Sequence, residues 1–331
     1  MTWVAFLFVS AVIVYAGIQL ARYGDMIAER SGMGRTWIGA VLVASTTSLP
    51  ELATGISSTA VYHAADIAAG DVLGSCLFNL LLLSVMDGLG GDQPISSQAA
   101  PGHALSIAFG SMLVGLVGLS IVGEPGLPHA GWIGWYTPIL MGVYFLSMRS
   151  LFHYERRRAK SAPEPESEAA PQALATTTIW VRYSVYGLVV VAAATLLPGL
   201  GQQIAAETGL EQSFVGSLFI AATTSLPEFV VCLSALRMGA VDLAIGNVLG
   251  SNLFNIFILA IDDVIYTPGP ILAAVSRSHL IAVLAALIMY ALVLAGLTYQ
   301  SMRKRFALAG DTWGIVAIYV TAIVLLAKYH G

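Results

Sequence analysis

Charge is what this chain is short of. Only 10% of its 331 residues are Asp, Glu, Lys or Arg, against 57% hydrophobic. A soluble domain carries roughly 25% charged residues, so a water-facing globule is excluded and an integral membrane protein is what the composition allows. Cysteine is nearly absent too. Cys76 and Cys232 each fall inside an apolar run, which excludes a disulfide framework and leaves both as small packing residues. No cluster of His and Cys suggests a zinc or copper centre. No His-Glu-x-x-His pair, Gly-x-Ser-x-Gly turn or nucleotide loop occurs, so an intramembrane hydrolase using Glu or Asp is only a distant alternative.

What the chain has in quantity is apolar length. A span needs roughly 20 apolar residues, and hydropathy gives ten stretches: about 3–21, 36–61, 66–87, 102–121, 131–150, 180–198, 212–236, 241–262, 272–297 and 311–329. The expectation is an all-α integral membrane protein of ten transmembrane helices. The first stretch has no basic residue before it and no small-residue cleavage site, so it reads as a retained helix. With both termini outside, thirteen Lys and Arg fall in inner segments, Arg149, Arg156, Arg157, Arg158, Arg237 and Arg303 among them, and only Arg277 and Lys328 outside. That bias sets the orientation, with the plasma (inner) membrane as the expected location.

The most informative stretch occurs twice. Thr46-Thr47-Ser48-Leu49-Pro50-Glu51 returns as Thr223-Thr224-Ser225-Leu226-Pro227-Glu228, 177 positions later. The copies belong to a longer duplication. Gly70-Asp71-Val72-Leu73-Gly74-Ser75 aligns with Gly246-Asn247-Val248-Leu249-Gly250-Ser251, after one extra residue near His63 in the first copy. Asn79 aligns with Asn255, Asp87 with Asp263 and His103 with His279. Residues 1–152 and 180–331 are thus two five-span repeats, with motif regions at about 38–83 and 215–259, joined by a disordered cytoplasmic linker at 153–179. An odd span number per repeat makes the second repeat inverted. In such proteins substrate sites lie near the midplane, where interrupted helices of the two halves meet.

Proline breaks a helix by removing a donor and displacing the carbonyl four residues earlier. A mid-membrane acid costs roughly 2.5–3.5 kcal/mol on insertion scales and so marks function. Pro50 and Pro227 free the carbonyls of Thr46 and Thr223, and beside them stand Thr47, Ser48, Thr224, Ser225, Glu51 and Glu228. This oxygen-only set with two negative charges suits a hard cation such as Ca2+. Asp71, Ser75 and Asn79, spaced i, i+4, i+8, share one helical face, as do Asn247, Ser251 and Asn255. Taken alone, such Ser and Asn residues would be read as interhelical glue; opposite a Pro-Glu break, in both repeats, they read as ligands. Asp71, one turn nearer the outer face, is read as an attractor at the mouth of the site.

The two segments Ala44–Asn79 and Ala221–Asn255 resemble the α-repeats of sodium/calcium exchangers, in the calcium/cation antiporter superfamily. The resemblance implies four central helices around one cluster of cation sites and a sliding peripheral pair. It implies that Glu51 and Glu228 are the central Ca2+ ligands, shared with Na+, with oxygens added by Thr47 and Thr224. Ser48 and Ser75 with the Ala44 carbonyl would form one flanking Na+ site. Ser225 and Ser251 with the Ala221 carbonyl would form the other, and Asn79 and Asn255 would line the middle. No cofactor and no nucleic acid is expected; the partners are the bilayer and the transported ions, and no oligomer is required. The chain departs from the family at Thr46 and Thr223, where Gly is usual, which bears on ion preference. Asn255 in place of Asp disfavours a potassium requirement, and the Ser-Leu-Pro-Glu motif disfavours the proton-coupled branch. Na+/Ca2+ exchange is therefore the leading reading, with H+ as driving ion or Mg2+ or Mn2+ as cargo the alternative. His103 and His279 read as interfacial anchors, and Asp87, Asp262 and Asp263 as ordinary carboxylates near water.

Overall fold

The structure, a computed structural model, describes residues 1–30, 45–91, 93–124, 126–159, 175–299 and 308–328. Ala44, most of the linker and the first part of the 36–61 span lie outside the described residues. The first half runs α1 (Thr2–Arg30), α2 (Leu49–Ala60), α3 (Ala65–Leu89), α4 (Ile95–Gln98), α5 (His103–Gly123), a two-residue hairpin at 129–134, and α6 (Tyr136–Ala159). The second runs α7 (Thr176–Ala194), α8 (Leu197–Thr208), α9 (Gln212–Val215), a π-helical turn at Gly216–Ile220, α10 (Ala221–Thr224) and α11 (Leu226–Arg237). It ends with α12 (Val241–Ile265), α13 (Ile271–Ala274), α14 (His279–Tyr299) and α15 (Gly310–Lys328). Every long element is a helix, because a backbone in lipid must satisfy its own hydrogen bonds.

Among the described residues seven helices are long and apolar enough to cross a membrane, and 212–237 forms one more as a pair bent by 44°. The expected 131–150 span overlaps a helix, α6, that is not among them, because Tyr, Thr and Pro at its start and Arg, His and Glu at its end dilute the apolar run. Large apolar side chains such as Val4, Phe8, Leu119, Leu188, Leu284 and Val320 are exposed, while Glu51, Asp71, Asn79, Glu228, Asn255 and Asp262 are buried. Polar inside and apolar outside is the arrangement lipid demands.

Contacts between the halves come in exchanged pairs. Asp87 accepts the Ile95 amide at 2.9 Å and, from the other half, the Ala309 amide at 2.8 Å and the Thr312 hydroxyl at 3.0 Å. Asp263 accepts the Ile271 amide at 2.7 Å and, from the first half, the Gly134 amide at 2.8 Å and the Thr137 hydroxyl. His103 meets Asp242 at 3.0 Å and His279 meets Asp66 at 3.0 Å. When residue i contacts j′ and j contacts i′, the halves are related as partners in a twofold interface. These contacts and the burial of the acids correct the readings of four residues. His279 is buried against Asp66 and ties the halves together, so it is no interfacial anchor. Asp87, Asp262 and Asp263 are all fully buried, not near water.

Two peripheral helices, α1 and α7, pack along each other, and the large apolar core lies elsewhere, over α3, α5, α12 and α14. The extra residue of the first copy is absorbed between α2 and α3. There His63 takes a left-handed φ of 48°, where the shorter second connection uses Gly239 at 72°. The π turn packs on α3 through Gly70 and Gly74, an approach that only glycine permits. A Cβ on Gly74 would lie 2.5 Å from Ser217 Cα.

Candidate cation-binding site

Each Ser-Leu-Pro-Glu copy is a helix restart. Ser48 (φ −87°, ψ 13°) precedes α2 and Ser225 (φ −89°, ψ 3°) precedes α11, with the proline in the first turn of each, where its missing N–H is harmless. Glu51 and Glu228 are the third residues of those helices, at the positive end of the helix dipole. Ser-x-x-Glu at a helix start is the signature of a capping box, in which the serine and glutamate satisfy their own helix end. Here neither serine caps its own helix. Ser48 Oγ donates to Glu228 Oε1 at 3.0 Å, and Ser225 Oγ donates to Glu51 Oε1 at 3.0 Å. The box is exchanged across the two halves, which brings the two restarts together.

Both glutamates are fully buried, and Oε2 of each has no hydrogen-bond partner. Asp71 is near enough for its charge to bear on Glu51, and its Oδ1 accepts the Thr224 hydroxyl at 2.9 Å. Ser75 Oγ stands 3.5 Å from Thr224 Oγ1. Around them Ser251 Oγ, Asn79 Oδ1, both amide atoms of Asn255 and Asn247 Oδ1 are buried without partners. Asn79 donates to Asn252 Oδ1 at 3.0 Å, while Asn247 donates to Cys232 Sγ at 3.5 Å. Orphaned buried oxygens in this number are uncommon in folded proteins and call for an explanation such as a bound ion or solvent. Among the described residues no three of His, Cys, Asp and Glu converge as a metal centre. The donor set is therefore two carboxylates with hydroxyls and amides, hard ligands for a hard cation.

Two expected residues, Thr46 and Thr223, reach away from the centre. Thr46 turns to the peripheral helix α7, 2.9 Å from the Tyr183 hydroxyl, and Thr223 turns to α1, 3.1 Å from Ser10 Oγ. The Ala221 carbonyl accepts the Ser225 amide at 3.0 Å. Ala44 is outside the described residues. Sequence reasoning passed over Asn252, which joins Asn79 to the Cys76 carbonyl and the Tyr290 hydroxyl. An open cavity of about 720 Å³ lies at the Arg237 end of the molecule and is lined by no carboxylate.

The model of the family described as sodium/calcium exchanger protein matches residues 1–151 and 178–329. The chain belongs to that family. This exchanger-family protein is 29% identical over 290 residues to a putative antiporter, CaxA, of Alkalimonas amylolytica, covering 85% of this chain and 86% of that one. Its fold matches a crystal structure of the H+/Ca2+ exchanger CAX with TM-score 0.72 at 12% identity, over 100% of this chain and 82% of the other. It also matches the sodium-calcium exchanger NCX_Mj, soaked with Na+ and Sr2+, with TM-score 0.62 at 20% identity over 100% of both chains. The family is one of multi-pass membrane cation exchangers, and these structural likenesses establish the fold.

Proposed function

We propose that the protein is a secondary antiporter exchanging Na+ for Ca2+ by alternating access, with Glu51 and Glu228 as its shared central carboxylates. The observation that carries this reading is the exchanged Ser–Glu pair. It joins two buried acids from opposite halves and leaves one oxygen of each without a partner. Two unneutralised carboxylates in a low-dielectric interior cost several kcal/mol each, so the site favours a cation-loaded state. One divalent ion, or several monovalent ones, neutralises it. A loaded site can pass through an occluded state that the doubly charged empty site avoids, and this difference couples the two ions.

Thr47, Thr224, Asn79 and Asn255 complete the central set. Ser48 and Ser75 with the Ala44 carbonyl, and Ser225 and Ser251 with the Ala221 carbonyl, form flanking Na+ sites. Asp71 acts next to the site through Thr224. The ten-span layout, two inverted five-helix repeats at 1–152 and 180–331, both termini outside and linker inside, is part of the same reading. It is supported by the exchanged contacts and by the bias of Lys and Arg. The Ser-Leu-Pro-Glu motif favours Na+ over H+ as the driving ion.

The test is radiocalcium uptake into proteoliposomes with a Na+ gradient, at clamped pH, repeated with Mg2+ and Mn2+ as competitors. Uptake should follow the Na+ gradient and vanish in Glu51→Gln and in Glu228→Gln. Near-normal flux in either variant refutes the assignment, and uptake that follows only a pH gradient moves the driving ion to H+.

A further inference from the structure

Asp262 is a fully buried acid that belongs to neither the Ser–Glu pair nor the helix-end network. Asp262 lies on α12, on the face of Ser251 and Asn255 continued by two turns, and neither of its carboxylate oxygens has a partner. Among the described residues no Lys, Arg or His pairs with it. It packs against Gly55 of α2 so closely that a Cβ there would lie 2.5 Å from Oδ2 and 2.7 Å from Oδ1. Beside Gly55, Thr54 Oγ1 and Ser58 Oγ are likewise buried and unpartnered. Glu51, Gly55 and Ser58, at i, i+4 and i+7, follow one face of α2, so this second group of oxygens is reached from the central site along that face. Asp71, whose Oδ2 is also without a partner, is close enough for its charge to act on Asp262.

The other half has nothing of the kind. At the positions that correspond to Asp262, Gly55, Thr54, Ser58 and Asp71 stand Met86, Cys232, Val231, Ala235 and Asn247. The twofold likeness that holds at the centre breaks here, and on one side only it breaks toward carboxylate and hydroxyl.

The geometry points to a second cation subsite, formed by Asp262 with Thr54 and Ser58, between the central carboxylates and the end of the molecule where α2 ends and α3 begins. Its donors are all hard oxygens, and a buried carboxylate among hydroxyls suits a divalent ion of the calcium class. Gly55 leaves the volume that the Asp262 carboxylate fills. The choice of a calcium-class occupant rests on the exchange reading; the subsite itself rests on the unpartnered oxygens.

Equilibrium binding of radiocalcium to purified protein tests it without relying on transport. In Glu51→Gln/Glu228→Gln, with the central acids neutralised, one saturable calcium site should remain. Adding Asp262→Asn should abolish it, and Thr54→Ala/Ser58→Ala in the same background should weaken it at least several-fold. Size-exclusion behaviour and thermal unfolding confirm that each variant is folded. A folded double variant that binds no calcium, or residual binding indifferent to Asp262→Asn, overturns the proposal. Residual binding in the double variant, with a wild-type protein that fails to exchange Na+ for Ca2+, would sink the exchange reading while leaving the subsite in place.

Discussion

The exchanged capping box can be told from an ordinary one by a thermodynamic cycle. Ser225→Ala removes the hydroxyl that Glu51 accepts at 3.0 Å, and the other Glu51 oxygen has no partner to share the load. Leaving a buried acceptor without its donor costs about 1–3 kcal/mol, so the cation-free protein should lose about that much stability. Ser48→Ala removes the reciprocal bond to Glu228, also 3.0 Å long, and should cost a similar amount. The informative quantity is the coupling. Ser225→Ala combined with Glu51→Gln should be non-additive by roughly 1 kcal/mol or more, because the two residues share one bond. Combined with Glu228→Gln, three residues along its own helix and in no hydrogen bond with Ser225, it should show a smaller coupling. Thermal unfolding of detergent-purified protein in chelator, analysed with each variant's own unfolding enthalpy, provides the numbers. If the larger coupling falls on Glu228, the box closes within its helix. The halves are then not joined as described, and the central site loses its structural basis.

Two further perturbations address the scaffold. Gly74→Ala puts a Cβ 2.5 Å from Ser217 Cα, and the backbones must part by about an ångström; overpacking of this kind costs roughly 1–3 kcal/mol. Gly115→Ala meets nothing within 4 Å and serves as the control, so equal unfolding temperatures for the two variants would contradict the close packing of α3 on the π turn. Asp263→Asn presents an amide to the Ile271 and Gly134 amides and to the Tyr136 hydroxyl, all of which now donate to the carboxylate. At about 1–3 kcal/mol per buried group left unsatisfied, the yield of folded protein should fall sharply; a wild-type yield and unfolding temperature would refute the network.

The repeated Thr-Thr-Ser-Leu-Pro-Glu and the polar stripes were legible because they are local patterns. Proline fixes where a helix restarts, and i, i+4, i+8 spacing fixes which residues share a face. Partners across the fold were not legible. Ser48-Leu49-Pro50-Glu51 read locally is a self-capping helix start, and only the folded chain sends each serine to the other half. Depth misled in the same way. Asp87, Asp262 and Asp263 stand at span ends, where a carboxylate ordinarily meets water, yet the short helices α4 and α13, the start of α6 and the region before α15 supply amides and hydroxyls that hold Asp87 and Asp263 inside. Thr46 and Thr223 were grouped with the site by proximity in sequence, while their hydroxyls turn to the peripheral helices.

Those two threonines also bear on how the site would be opened. Each adjoins a central Thr-Ser pair and binds a different peripheral helix, Thr46 to Tyr183 on α7 and Thr223 to Ser10 on α1. The peripheral pair thus meets both restarts through neutral hydrogen bonds, of about 0.5–1.5 kcal/mol each. Bonds of that size can be exchanged as helices slide, whereas the Asp87 and Asp263 networks hold the rest of the bundle with several bonds to one charged group. At the centre the halves offer the same residues to both sides, so an affinity that differs between the two sides must come from positions where they diverge. Asp71 against Asn247 and Asp262 against Met86 are such positions, and both set a buried carboxylate on the same side of the central pair.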